Sequence, residues 1–172
     1  MTNISLEKIS VSDVEWLQEI SKQTFIETFA AVNTVSNMLQ YLNGALSIQT
    51  LSDEMMKKDS EFYFAKKEDK IVGYLKLNFG DSQTESIDEN GMEIERIYVL
   101  KAFHGQGIGQ YMFDEAIAMA RQKHLKFLWL GVWEENHSAL NFYKKNGLVE
   151  FDKHNFILGN DVQTDVLMKM WL

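Results

Sequence analysis

Hydrophobic and polar residues alternate in the opening "ISLEKIS", with Ile4 and Leu6 set against polar neighbours and Ile9 beyond them, which predicts a first strand. In "VSDVEWLQEISKQTFIETF" the period lengthens. Leu17, Ile20, Thr24 and Thr28 fall on one side of a helix, and Ser12 with Glu15 three residues later predicts a capping box at its start. Two shorter helices are predicted near residues 36–42 and 47–58. "EFYFAKKEDKIVGYLKLNF" holds two strand-like runs around a charged turn at 68–70, a hairpin. The polar residues 80–91 form a loop. "MEIERIYVL" is the next strand and leads through a glycine-rich segment into a helix reaching about residue 123, whose Ile108, Met112, Ala116 and Met119 make a core-facing stripe. "KFLWLGVWE" is continuously apolar and suits a buried central strand. "NHSALNFYKKNG" predicts a short helix opened by Asn136 and closed by Gly147. Two strands follow, near 149–158 and 163–171, joined by "GND". The order βααα-ββ-βαβα-ββ predicts one mixed α/β domain over residues 1–172 rather than a regular βαβ alternation.

Composition narrows the classes. No apolar run approaches the ~20 residues of a membrane span, and "MTNISLEKIS" lacks the basic and apolar regions of a signal peptide, so the expected location is the cytoplasm. The chain has no cysteine, which excludes disulfides, thiolate catalysis and cysteine-ligated zinc. A net charge of −8 argues against duplex nucleic acid and anionic membranes as general partners. The acidic residues concentrate in "DSQTESIDENGMEIE", residues 81–95, either a solvated loop or a field that draws in a cationic ligand. His104, His124, His137 and His154 show no metal-ligand spacing, so no metal is expected and all four read as surface or cap residues. Trp129 and Trp133 read as packing or cleft-lining residues.

Gly105, Gly107 and Gly109 stand at alternate positions just ahead of a helix, at a cost of roughly 0.5–1 kcal/mol each if they lay inside an element. A helix N-terminus offers unpaired N–H groups and partial positive charge, and glycines let the main chain close on an anion there. "HGQGIG" therefore reads as a pyrophosphate cradle. Gln110 and Tyr111 stand where a P-loop needs Lys and then Ser or Thr, and Gln110 stands where the dinucleotide fingerprint needs glycine. Neither nucleotide hydrolysis nor NAD binding fits.

Residues 94–109, "IERIYVLKAFHGQGIG", resemble the acetyl-coenzyme A motif of the GNAT superfamily of N-acetyltransferases, Gln/Arg-x-x-Gly-x-Gly/Ala. Gly107 and Gly109 match its glycines, and His104 departs from its Gln/Arg. "NHSALNFYKKNGL" is similar to the superfamily's Asn-x-x-Ala-x-x-Phe-Tyr-x-x-x-Gly-Phe segment, with Leu148 in place of Phe. "IERIYV", "WLGVWEEN", "GNDVQTD" and the early "TFIETFA" resemble the PaiA-type polyamine acetyltransferases more narrowly.

The resemblance implies a central, mostly antiparallel sheet of about seven strands, splayed at Ile97, Tyr98 and Val99 and along Phe127–Trp133, with helices on its flanks. It implies acetyl-CoA as cosubstrate, the backbone at Ile97, Tyr98 and Val99 meeting the thioester, and N–H groups of Gln106, Gly107, Ile108, Gly109 and Gln110 meeting the pyrophosphate, with His104 and Gly105 in the same cofactor-binding segment. Asn136, Ser138 and Lys145 are further implied contacts. Tyr143 is the implied acid for the leaving thiolate. Glu95 shares a strand face with Val99 by the two-residue period and matches the base of several polyamine enzymes; Glu93, on the same face, or water is the alternative. The implied acceptor is a primary amine of a small polycation such as spermidine or spermine. A peptide or protein amine, or an acetyl-CoA-binding regulatory role, is the competing reading, and a homodimer is common in the superfamily.

Overall fold

A computed structural model describes residues 3–172. Its elements run β1 (Ile4–Lys8), α1 (Val14–Phe29), α2 (Val35–Gly44), α3 (Ile48–Met55), β2 (Ser60–Lys67), β3 (Lys70–Asn78), β4 (Gly91–Val99), α4 (Ile108–Gln122), β5 (Phe127–Trp133), α5 (His137–Lys145), β6 (Val149–Leu158) and β7 (Asp161–Trp171). The strands form one sheet in the order β1-β2-β3-β4-β5-β7-β6. Every pairing is antiparallel except β4 with β5, the pair that α4 connects. A parallel pair needs such a crossover, whereas β2–β3 and β6–β7 close through two-residue turns and β1 reaches β2 through α1–α3.

One face of the sheet carries α4 and α5. Ile108, Met112, Phe113 and Ala116 bury there against Leu75, Leu77, Ile94, Leu128, Leu130 and Val132. Phe113 and Ala120 complete the stripe that the period of α4 predicts, and Met119 is only partly buried. The other face carries α1–α3, whose Leu17, Ile20, Phe25, Met38, Leu42 and Leu51 pack on Phe62, Phe64 and Tyr74.

Two local expectations are corrected. The box at the start of α1 lies two residues earlier than Ser12 and Glu15: Asp13 Oδ2 accepts from the Ser10 backbone N–H at 3.0 Å, and a 3-10 turn (Val11–Asp13) precedes the helix. The first strand ends at Lys8, and Ile9 packs instead with the α1–α3 core.

The sheet opens in its middle. β4 and β5 pair only at Gly91–Phe127, Met92–Leu128 and Glu93–Trp129. Beyond these, β4 stays with β3 as far as Val99, and β5 stays with β7 as far as Trp133. Leu77 opposes Ile94 while Lys76 opposes Arg96, so Glu95 is the extra residue of a β-bulge, a device that re-aims a side chain.

Candidate active site

A cleft of about 1100 Å³ occupies the opening and reaches across both faces of the sheet. At one end a 3-10 turn (Lys101–Phe103) leads to Gly105 and Gly107, which have φ of 74° and 79°, a region where side chains cost energy. Gly107 is the N-cap of α4 and offers no side-chain cap, so the first-turn N–H groups face the cleft without a protein acceptor of that kind. A Cβ built on Gly105, Gly107 or Gly109 would meet nothing within 4 Å. The glycines therefore keep both an unusual backbone and open space, and the donor set suits an anion of pyrophosphate size. His104 holds the turn in place: its Nε2 donates to the Val99 carbonyl at 2.7 Å.

Gly105, Gly107, Ile108, Gly109, Gln110 and His104 all line this end, as do Ile97, Tyr98 and Val99 from β4. Gln106 and Lys145 do not. Gln106 turns its side chain to Lys67, and Lys145 is exposed near the C-terminus of α5. Ser138 and Asn136 line the cleft, with the Asn136 side chain capping α5 by accepting from the Ala139 N–H at 3.2 Å.

Tyr143 stands on the second turn of α5, buried against Phe113 and Phe142 yet on the cleft wall. Burial alone raises its pKa, so the phenol keeps its proton across the neutral range.

The two β4 carboxylates differ in their surroundings. The Asn78 side-chain amide donates to both, to Glu93 Oε2 at 3.0 Å and to Glu95 Oε2 at 2.7 Å. Glu93 also accepts from the Thr84 N–H at 2.8 Å and from its hydroxyl at 2.5 Å. Burial raises its pKa, against the pull of those bonds. Glu95 is paired with Lys76 at 2.5 Å and with Arg96 at 3.5 Å, and both cations reach Glu54 of α3. Burial opposes its charge, but Arg96, Lys76 and Asn78 outweigh that and hold its carboxyl below the usual glutamate value. Environments that push two neighbouring carboxyls apart give them different proton duties.

The far end is acidic and aromatic. Glu85 from the 80–90 loop and Asp165 from β7 line it together with Glu93 and Glu95. Phe25 stacks on Tyr41 with centroids 4.2 Å apart, Tyr41 meets Phe156 at 5.9 Å, and Phe29 meets Trp133 at 5.8 Å. His154, read from sequence as a surface residue, sits here instead: Nδ1 lies 2.6 Å from Glu85 and Nε2 3.2 Å from Asp165. Burial works to lower its pKa, but the bonds to Glu85 and Asp165 outweigh it and leave it raised. The acidity of residues 81–95 hinted at this end; no spacing marked His154 or Asp165 as part of it. Trp129 packs away from the cleft and donates to Gln83 at 2.7 Å, pinning the loop. Among the described residues no group of three or more His, Cys, Asp or Glu is placed to hold a metal ion, and no helix is long and apolar enough to cross a membrane.

The splayed mixed sheet carries a backbone cradle for an anion at its parallel crossover, and sequence comparison gives this arrangement a family. The model of the acetyltransferase (GNAT) family matches residues 23–148, and the chain belongs to that family. An N-acetyltransferase of Lactobacillus delbrueckii subsp. lactis, itself uncharacterized, is 41% identical over 169 residues, 98% of both chains. The spermidine N(1)-acetyltransferase of Thermoplasma acidophilum is 24% identical over 162 residues, covering 91% of this chain and 96% of that one. Among solved structures, PaiA N-acetyltransferase from Thermoplasma acidophilum in complex with coenzyme A superposes with a TM-score of 0.80 at 22% identity and covers 99% of each chain, which establishes the shared fold. The protein is an N-acetyltransferase.

Proposed function

We propose that the protein transfers acetyl from acetyl-CoA to a primary amine of a small polycation, with spermidine or spermine as the acceptor. The observation that carries this reading is the far end of the cleft: Glu85, Glu93, Glu95 and Asp165 converge between the aromatic walls of Tyr41, Phe29, Trp133 and Phe156. Carboxylates suit ammonium groups and aromatic faces suit the methylene stems between them. The Thermoplasma relative named for spermidine supports the same acceptor.

Acetyl-CoA supplies an activated acyl group; the chain supplies position and protons. First-turn N–H groups of α4 hold the pyrophosphate, and the unpaired edge of β4 at Ile97, Tyr98 and Val99 receives the thioester arm. An alkyl ammonium is neutral in about one molecule in 10³ at pH 7, a deficit of roughly 4–5 kcal/mol. Glu95 takes up that proton, directly or through water. Its Oε2 is held by Lys76 and Asn78, whereas Oε1 has only Arg96 at 3.5 Å and is the open oxygen. Glu93, closed in by Thr84 and Asn78, orders Glu95 rather than accepting the proton. Because Glu95 is a weak base, it works by drawing the ammonium in and passing its proton on to solvent.

Tyr143 gives its proton to the leaving thiolate. A phenol made less acidic by burial is a reluctant donor to a thiolate of ordinary basicity, about 8.5 in water. A thiolate released between the same buried walls is itself made more basic, which restores the match.

The test is thiol release from acetyl-CoA with spermidine, spermine, putrescine, free lysine and a lysine peptide. Turnover is expected on spermidine or spermine. Turnover on the peptide alone overturns the acceptor and leaves the acyl transfer standing; acetyl-CoA binding with silence on every amine favours a regulatory protein.

A further inference from the structure

His154 bridges two carboxylates that come from segments far apart in the chain, Glu85 in the 80–90 loop and Asp165 on β7. The three side chains line the same cleft as Tyr143 and Glu95. They stand over Gly131 of β5, where a Cβ would lie 3.5 Å from His154 Nε2 and 3.6 Å from Asp165 Oδ2. No side chain from β5 therefore separates them from the floor of the opening.

When protonated, His154 is a cation seated between two carboxylates. An imidazolium donating from both nitrogens to two carboxylates does what an ammonium with three N–H groups does better, and the histidine side chain is 26% exposed, so a ligand can reach it. We infer that Glu85 and Asp165 form the seat for the distal ammonium of a di- or polycationic acceptor, and that His154 is the resident cation with which this ammonium competes. The inference rests on the amine acetyltransferase reading above and adds the groups that select the acceptor's second charge.

The charged groups facing His154 are few. The loop contributes Glu85, β7 contributes Asp165, and β5 contributes only Gly131. Lys153, its neighbour on β6, turns to Glu134 at 3.7 Å, and Glu93 accepts from Thr84, next to Glu85 in the chain. With His154 charged, the seat carries a net charge of −1; with His154 neutral, −2. The distal ammonium of a polyamine stays protonated below about pH 10. Its affinity therefore rises as the pH climbs through the raised His154 pKa, while an acceptor with one amine gains nothing from the seat.

The experiment measures KM for spermidine and for n-butylamine with acetyl-CoA at pH 6 and pH 9, and takes their ratio, because deprotonation of the attacking amine enters both. In the wild type the ratio is expected to shift at least fivefold in favour of spermidine at the higher pH. His154→Gln is expected to flatten this dependence and to retain the preference at both values. Asp165→Asn is expected to raise KM for spermidine about tenfold and that for n-butylamine much less. Glu85→Gln, at a side chain 41% exposed, repeats the test if the β7 variant fails to fold. A ratio that does not move with pH in the wild type overturns the inference, as does a dependence that survives in His154→Gln or a spermidine KM unmoved by both carboxylate variants. If a polyamine is turned over and the ratio is flat, the amine reading stands and only the seat falls, with spermine replacing spermidine in the ratio where only it is turned over; if neither spermidine nor spermine is turned over, both fall.

Discussion

The two ends of the cleft are built by opposite means. The glycine end is main chain from one continuous stretch, Ile97 to Gln110, and its working groups are N–H groups that almost any sequence possesses once φ is positive at Gly105 and Gly107. The far end is side chains brought from α1, α2, the 80–90 loop, β4, β5, β6 and β7, spanning Phe25 to Asp165. The first can hold one kind of ligand and has little freedom to change. The second can be altered residue by residue without disturbing the first, which is the division expected where one acyl donor serves many acceptors.

Variants can break or sharpen that division. The largest effect is expected between the ends: Tyr143→Phe, which keeps the ring in its pocket, should lower kcat by roughly 10²-fold or more with KM for acetyl-CoA and amine nearly unchanged. A matching rise in either KM would place Tyr143 in binding instead. Next comes Gly107→Ala. An L-residue escapes a left-handed strain of about 1–2 kcal/mol by moving the loop, so KM for acetyl-CoA should rise roughly tenfold while the amine KM holds. An equal change in the amine KM would mean that the two ends are not independent. The smallest lies away from both. The β2–β3 turn places Glu68 and Asp69 at φ of 50° and 66°, a geometry that favours Asn-Gly. Glu68→Asn with Asp69→Gly should add about 1 kcal/mol of stability in urea unfolding at constant activity.

The same division decides what could be read from the chain. The element order follows from local periodicity and the anion cradle from glycines near one another in sequence, whereas the splay and Tyr143 were implied only by the family resemblance. Glu95 was legible as a carboxylate on the right strand, but not its pairing with Lys76, Arg96 and Glu54, because α3 meets β3 and β4 only in three dimensions. His154 misread for the same reason. An isolated histidine on an edge strand looks like a surface residue until β7 and the 80–90 loop bring it two carboxylates. Lys145, two residues past Tyr143, is exposed and lies outside the cleft lining, since a helix turns such a pair to different sides.

The three rungs joining β4 to β5 make the sheet a pair of leaves on a short hinge. Gly91 is the pin, since a Cβ there would come within 2.5 Å of the Phe127 ring and force the leaves apart. Any molecule lodged between the leaves stands in for rungs that the hinge lacks and binds only the assembled chain. At a hundred times its dissociation constant such a molecule adds about 2.7 kcal/mol to the folded state. The feature that opens the protein to its ligand thus ties the chain's lifetime to the ligand's supply.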